Sequence, residues 1–173
     1  MEKTTEEHVI LVDERDRSMG TMEKMAAHQR GLLHRAISVF ILDGNGRLLL
    51  QQRAAHKYHS AGLWTNTCCS HPVPGETAAD AAHRRLRQEM GMEVPLEFAF
   101  TFQYRATFDN GLVEHELDHV FVGYASDAPV INPDEVADYR WLSLPEIERE
   151  LAANPDAYTP WFKIIYKKIF DLV

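Results

Sequence analysis

His28, His34, His71, Glu114 and Glu116 are the residues of this chain whose types could hold a metal ion. His28 and His34 flank the short link QRGLL, His71 follows the two cysteines, and the two glutamates lie in VEHELDHVF. Residues two apart in a strand share a face, so Glu114 and Glu116 present paired carboxylates to one side. Three imidazoles with two carboxylates form a borderline donor set that suits Mn, Zn, Mg or Fe(II) without choosing among them. None of the short zinc signatures is present, and any one of these histidines taken singly reads more readily as a solvated or hydrogen-bonded structural side chain than as a ligand. His8, His56, His59 and His83 read as structural in that sense. His115 and His119 fall on the strand face opposite Glu116 and read as non-ligating.

Both cysteines, Cys68 and Cys69, stand together in TNTCCSHPVPGE. Adjacent cysteines cannot easily bridge each other and there is no third, which excludes a disulfide framework and fits a reducing compartment. The net charge of -8 argues against nucleic acid as a partner. An anionic small substrate remains open, provided a local cluster of Arg and Lys meets it. The chain is acidic at its start, without the cationic and apolar regions of a signal peptide, and has no apolar run of about 18 residues. The expectation is a cytoplasmic protein with no membrane contact.

The elements that must position these residues are legible in outline. At 173 residues, 45% apolar and 25% charged, the chain fits a single domain spanning 1–173 with a real core. Residues 8–12 read as a strand. Residues 34–42 and 47–52 read as strands joined by Asp43-Gly44-Asn45-Gly46, a hairpin signal. Periodicity disappears from Ala54 to Pro74, and a loop of that length inside a domain is more often functional than idle. Thr77 to Met90 reads as a helix with Thr77 as N-cap, Asp80 at the capping-box distance and Gly91 as its stop. Residues 97–107 and 112–124 read as strands around Asp109-Asn110-Gly111, and 138–142 as one more. Pro145 opens a helix, and Thr159-Pro160 introduces a final amphipathic one. This order suggests a mixed α/β (α+β) domain rather than repeating βαβ units.

One helix carries a recognisable pattern. From Ser70 five residues lead to Glu76, seven more lead to Arg84, and Arg84-Arg85-Leu86-Arg87-Gln88-Glu89-Met90-Gly91-Met92 follows. This resembles the Nudix box, matched at Glu76, Arg84, Leu86, Glu89, Gly91 and Met92. Ser70 replaces the first Gly, and Arg85 and Gln88 replace two acids. The resemblance implies a Nudix-like fold of mixed β-sheets sandwiched by helices, with an N-terminal strand extension and C-terminal helices. With two acids missing, the helix is poorly equipped for multi-metal attack by water, while Glu89 and Arg85 together can hold a cation and grip a phosphate. On its own, that pair also reads as an ordinary exposed i,i+4 ion pair.

The wider chain is similar to the type I isopentenyl-diphosphate isomerases. TMEKMAAH, Arg53 and Lys57, GLWTN, Cys69-Ser70-His71-Pro72, YRAT, VEHE and TPWF stand in that family's order from about His8 to the last helix. The resemblance implies interconversion of isopentenyl and dimethylallyl diphosphates by an allylic proton shift. It implies Cys69 and Glu116 as the proton-handling groups, Tyr104 assisting Glu116, and Trp161 stacking near the developing cation. It further implies His28, His34, His71, Glu114 and Glu116 around a first metal (Mn, Zn or Mg), and Glu89 on a second cation, Mg, that enters with the diphosphate. Lys24, Arg53, Lys57 and Arg85 are the expected diphosphate contacts, which supplies the basic cluster that the acidic net charge demands. Cys68 reads as a small buried filler. The expected assembly is a monomer or weak homodimer. A Nudix hydrolase acting on a nucleoside diphosphate derivative and a non-catalytic metal- and diphosphate-binding module are the competing readings.

Overall fold

The run HRAISVFIL forms the strand on which the molecule is built, because its β-branched and aromatic side chains suit a pleated surface buried on both faces. The computed structural model describes residues 7–173. In chain order the strands are β1 (His8–Val12), β2 (Ser18–Glu23), β3 (His34–Leu42), β4 (Arg47–Arg53), β5 (Trp64–Thr65), β6 (Cys68–Ser70), β7 (Glu97–Thr107), β8 (Val113–Tyr124) and β9 (Val136–Ser143). The helices are α1 (Lys24–Arg30), α2 (Ala78–Met90), α3 (Leu144–Ala153) and α4 (Pro160–Leu172).

Strand β3 runs parallel to β8 and antiparallel to β6, and it joins β4 through the hairpin turn. Strand β8 continues antiparallel to β7, while β4 continues to β5 and β9. The β1–β2 hairpin attaches at the start of β3, where Leu11 faces His34. The sheet is therefore mixed, as expected, and helices cover it on both sides. Ile37, Val39 and Ile41 of β3 pack with Ala82, Leu86 and Met90 of α2. Phe40 and Leu42, pointing the other way, pack with Ile147 of α3 and Phe162, Ile165 and Ile169 of α4.

The expected helix boundaries hold at α2. The Thr77 side chain accepts from the Asp80 N–H, and Gly91 ends the helix at φ 63°. A side chain at Gly91 would bring its Cβ to 2.6 Å from the Val130 carbonyl oxygen, so both conformation and space require glycine there. Helix α3 starts one residue before Pro145, at Leu144, with Ser143 and Glu146 forming a reciprocal capping box.

Strands β2, β5 and β6 and helix α1 escape the sequence reading. Strand β9 is longer than 138–142. Helix α1 has only seven residues, too few for a helical period to show, and its start is fixed by Glu23, which accepts from the Met25 and Ala26 N–H groups. The stretch 54–74 is not wholly loop: β5 and β6 lie inside it and make ladder bonds to β4 and β3. Tertiary pairing holds such short strands in a segment whose own pattern does not specify them.

Candidate active site

The site is organised by the two-residue period of the strands. Ser38 of β3 stands beside Cys69 of β6, His34 of β3 beside Glu116 of β8, and Glu116 beside Tyr104 of β7. These residues, with Glu114 and Asp118, share one face of the sheet. Cys68 stands beside Val39 and faces α2 instead. Two cysteines adjacent in sequence thus belong to opposite sides of the sheet.

An open pocket, about 580 Å³ with its solvent-filled mouth included, lies on the shared face. Lys24, Arg53, Lys57, Arg85, Trp161, Cys69, His71, Glu114 and Glu116 line it. All four cations expected to meet a diphosphate thus converge from α1, β4, the following loop and α2. Each of three is held by a carboxylate that the sequence reading missed. Lys24 Nζ donates to Glu7 Oε2 at 2.8 Å, Lys57 contacts Glu135, and Arg85 lies 3.3 Å from Glu135 Oε2. Glu7 and Glu135 carried no motif, and only the chain's path reveals them.

His28, His34, His71, Glu114 and Glu116 form one group whose ligand atoms all lie within 4.8 Å of one another, as the sequence reading expects. The Nδ1 atoms of His28 and His34 lie 2.7 and 2.9 Å from the Lys24 and Leu32 carbonyls, which fixes those nitrogens as donors. Their Nε2 atoms, and Glu114 Oε2, are buried without a hydrogen-bond partner among the described residues. Orphaned buried donors and acceptors are costly, so this arrangement fits a divalent cation well. Burial holds His34 down at about 4, and burial with the neighbouring His34 holds His71 well below its usual value, so both imidazoles are neutral at pH 7, the form in which a nitrogen can meet a metal ion. His115 and His119 turn away, toward the Gly31 carbonyl and Asp16.

Burial pushes the Cys69 thiol up to about 12. Burial, then the Glu114 carboxylate, pushes Glu116 well above the usual carboxylate range. Cys69 donates its S–H to Asn66 Oδ1 at 3.4 Å, and the same oxygen accepts from Trp161 Nε1 at 3.2 Å. Asn66 is itself anchored through Nδ2 to the Val39 and Cys68 carbonyls. Trp161 turns its face to Arg53, 5.6 Å from the guanidinium, so it is a wall of the cavity as well as part of α4. Tyr104 does not line the cavity; it is buried, with no hydrogen-bond partner for its hydroxyl among the described residues, and its ring lies 6.2 Å from that of Trp161.

Three expectations need correction. Cys68 is buried, but it is more than filler: its thiol donates to Glu89 Oε2 at 3.1 Å. The Arg85–Glu89 pair is not an exposed surface pair, because Glu89 is 3% exposed and Gln51 also donates to it at 3.3 Å. His59, assigned a structural role, is buried in the site with its Nε2 against Glu114 Oε1. Asp118 was also missed, although it continues the two-residue period of Glu114 and Glu116. It is buried, accepts from the Ser38 hydroxyl at 2.6 Å, and is pushed up to about 7 by that burial.

Comparison with known proteins finds relatives along most of the chain. The model of the NUDIX domain matches residues 32–162. The isopentenyl-diphosphate Delta-isomerase 2 of Aromatoleum aromaticum is 57% identical over 96% of this chain and 88% of that protein. The isopentenyl-diphosphate Delta-isomerase of Pectobacterium atrosepticum is 53% identical over 94% and 91%. Among solved structures, DR0079 from Deinococcus radiodurans superposes with a TM-score of 0.77 at 20% identity, covering 93% of this chain and 98% of that one, a likeness of fold.

Proposed function

The chain belongs to the NUDIX family and, within it, to the isopentenyl-diphosphate Delta-isomerases, and from that premise we propose that Cys69 and Glu116 are its proton-handling pair. The reaction interconverts isopentenyl diphosphate and dimethylallyl diphosphate. The observation that carries this reading is the placement of Cys69 and Glu116 on the strands flanking β3, with both side chains in one cavity beside four cations.

An unactivated alkene needs a strong acid in a site that excludes water. One group of the pair delivers a proton to the terminal methylene, which places positive charge on the neighbouring branched carbon. The other removes a proton from the carbon next to the diphosphate arm, and the double bond moves one position. Burial keeps the Cys69 proton on sulfur at neutral pH, and the Asn66 amide fixes the thiol's direction. Trp161 offers a ring face to positive charge without a nucleophilic atom, and Tyr104 backs Glu116. Lys24, Arg53, Lys57 and Arg85 bind the diphosphate and so hold the five-carbon unit against the pair.

His28, His34, His71, Glu114 and Glu116 hold the first divalent ion, which we assign as Mn, Zn or Mg, and Glu89 takes Mg with the diphosphate. When bound, these ions supply positive charge that tunes Glu116 and offsets the diphosphate. Glu89 is already engaged by Arg85, Cys68 and Gln51, an arrangement ill suited to activating water and therefore against the hydrolase reading. No helix among the described residues is long and apolar enough to cross a membrane. We propose a single-domain cytoplasmic enzyme, monomeric or weakly dimeric. The test is turnover of isopentenyl diphosphate by the parent, Cys69→Ala and Glu116→Gln proteins. Turnover only by the parent supports the assignment, and ready turnover by either variant contradicts it.

A further inference from the structure

We propose that His59 is a positioning residue of the metal centre, acting through Glu114 and joining that centre to the diphosphate grip. The inference rests on the five-residue metal centre proposed above and adds a residue outside it. His59 comes from the aperiodic loop after β4 and is 5% exposed. Its ring is stacked on Phe108, with centroids 4.9 Å apart and planes 7° from parallel. Tyr58 and Trp161 meet it edge-on at 4.4 and 5.8 Å. Aromatic contacts on three sides leave the imidazole little freedom to turn.

That fixed ring sets Nε2 against Glu114 Oε1. Neither His59 ring nitrogen has an aligned hydrogen bond among the described residues. Burying an imidazole in that condition is costly, and a phenyl ring would fill the same aromatic slot without the cost. The Nε2 edge is accounted for if His59 orients Glu114, as outer-shell partners orient metal-binding carboxylates. The main chain of the same residue reaches the other half of the site, since Arg53 donates to the His59 carbonyl at 3.3 Å.

The experiment uses full-length protein stripped of metal and titrated with Mn2+, the free ion being followed by electron paramagnetic resonance. His59→Phe keeps the stack and removes the polar edge; His59→Gln restores a donor; Glu114→Gln damages the centre itself. The expected result is Mn2+ affinity lowered roughly 10- to 100-fold in His59→Phe, recovered in part in His59→Gln, and lost in Glu114→Gln. Parental affinity in His59→Phe with loss in Glu114→Gln overturns the inference and leaves the metal centre standing. Parental affinity in all three overturns the centre as well. Circular dichroism reports folding; if His59→Phe does not fold, His59→Met makes the same comparison.

Discussion

Cys68 donates its thiol to Glu89 Oε2 across 3.1 Å inside the protein, while Cys69, next in the chain, faces the cavity on the other side of the sheet. The strand's alternation gives two identical side chains different chemistry. Cys68 belongs with the buried Glu89 carboxylate, and Cys69 belongs to the cavity face proposed for proton transfer.

The first prediction concerns that contact. Cys68→Ala removes a donor from a buried carboxylate and costs about 1–3 kcal/mol, measurable by urea unfolding. The Mg concentration giving half-maximal turnover rises, while the rate at saturating Mg changes little. Cys68→Ser, which keeps a donor, returns toward the parent. Unchanged stability and Mg dependence in Cys68→Ala would show that the thiol is packing alone.

The second concerns the charge on Cys69. Burial raises the folded thiol from 9.0 to about 12. Between those values the folded chain keeps a proton that the unfolded chain has released, so the unfolded state gains at alkaline pH. The contribution of this thiol to stability is complete below about 9 and is lost as pH rises toward about 12. Metal-free protein should therefore react slowly with iodoacetamide at Cys69 near pH 8, and faster in urea. Mass spectrometry of the labelled peptide distinguishes Cys69 from Cys68; equal rates folded and unfolded would contradict the raised value.

The third concerns Arg85, one of the residues that depart from the Nudix pattern. Its guanidinium lies 3.3 Å from both Glu89 Oε2 and Glu135 Oε2, with its side chain 14% exposed. Arg85→Gln leaves the buried Glu89 without its counter-charge and Glu135 with Lys57 alone, at about 3 kcal/mol. It also raises the KM for isopentenyl diphosphate roughly tenfold or more, through loss of a charge-assisted phosphate contact. Chemical unfolding and steady-state kinetics check the two effects separately.

The fourth concerns Asn66, whose Oδ1 accepts from both Cys69 and Trp161. Asn66→Ala frees the thiol and the indole together. Turnover should fall roughly 10- to 100-fold through misplacement of the reacting groups. A kcat equal to the parent's in a folded Asn66→Ala protein would show that the amide does not position the thiol.

How much of this was legible in the sequence depends on what positions each residue. Glu114 and Glu116 could be placed on one face because a strand's period is local and strict, and the same rule, carried one step further, reaches Asp118. Ser38 carried a signal too, as a hydroxyl within the apolar run HRAISVFIL. The Nudix-like helix was legible because cap residues fix its ends, whereas Cys69 and His71 were singled out by the resemblance to the isomerases. His59, Glu7 and Glu135 were not, because loops or long-range pairing bring them in and leave no period to read. His59 in particular follows Arg53 through an aperiodic loop, where a buried histidine cannot be told from a solvated one. The role of Cys68 depended on which face of β6 it took, and β6 exists only through its pairing with β3.

The central claim is an allylic proton shift carried by Cys69 and Glu116, and proton NMR of isopentenyl diphosphate incubated with the protein and Mg in deuterated buffer tests it most directly. The account predicts dimethylallyl diphosphate with deuterium in its methyl and C2 positions, and no exchange with Cys69→Ala or Glu116→Gln. Exchange by Cys69→Ala at the parent's rate, or release of phosphate without isomerisation, would contradict it.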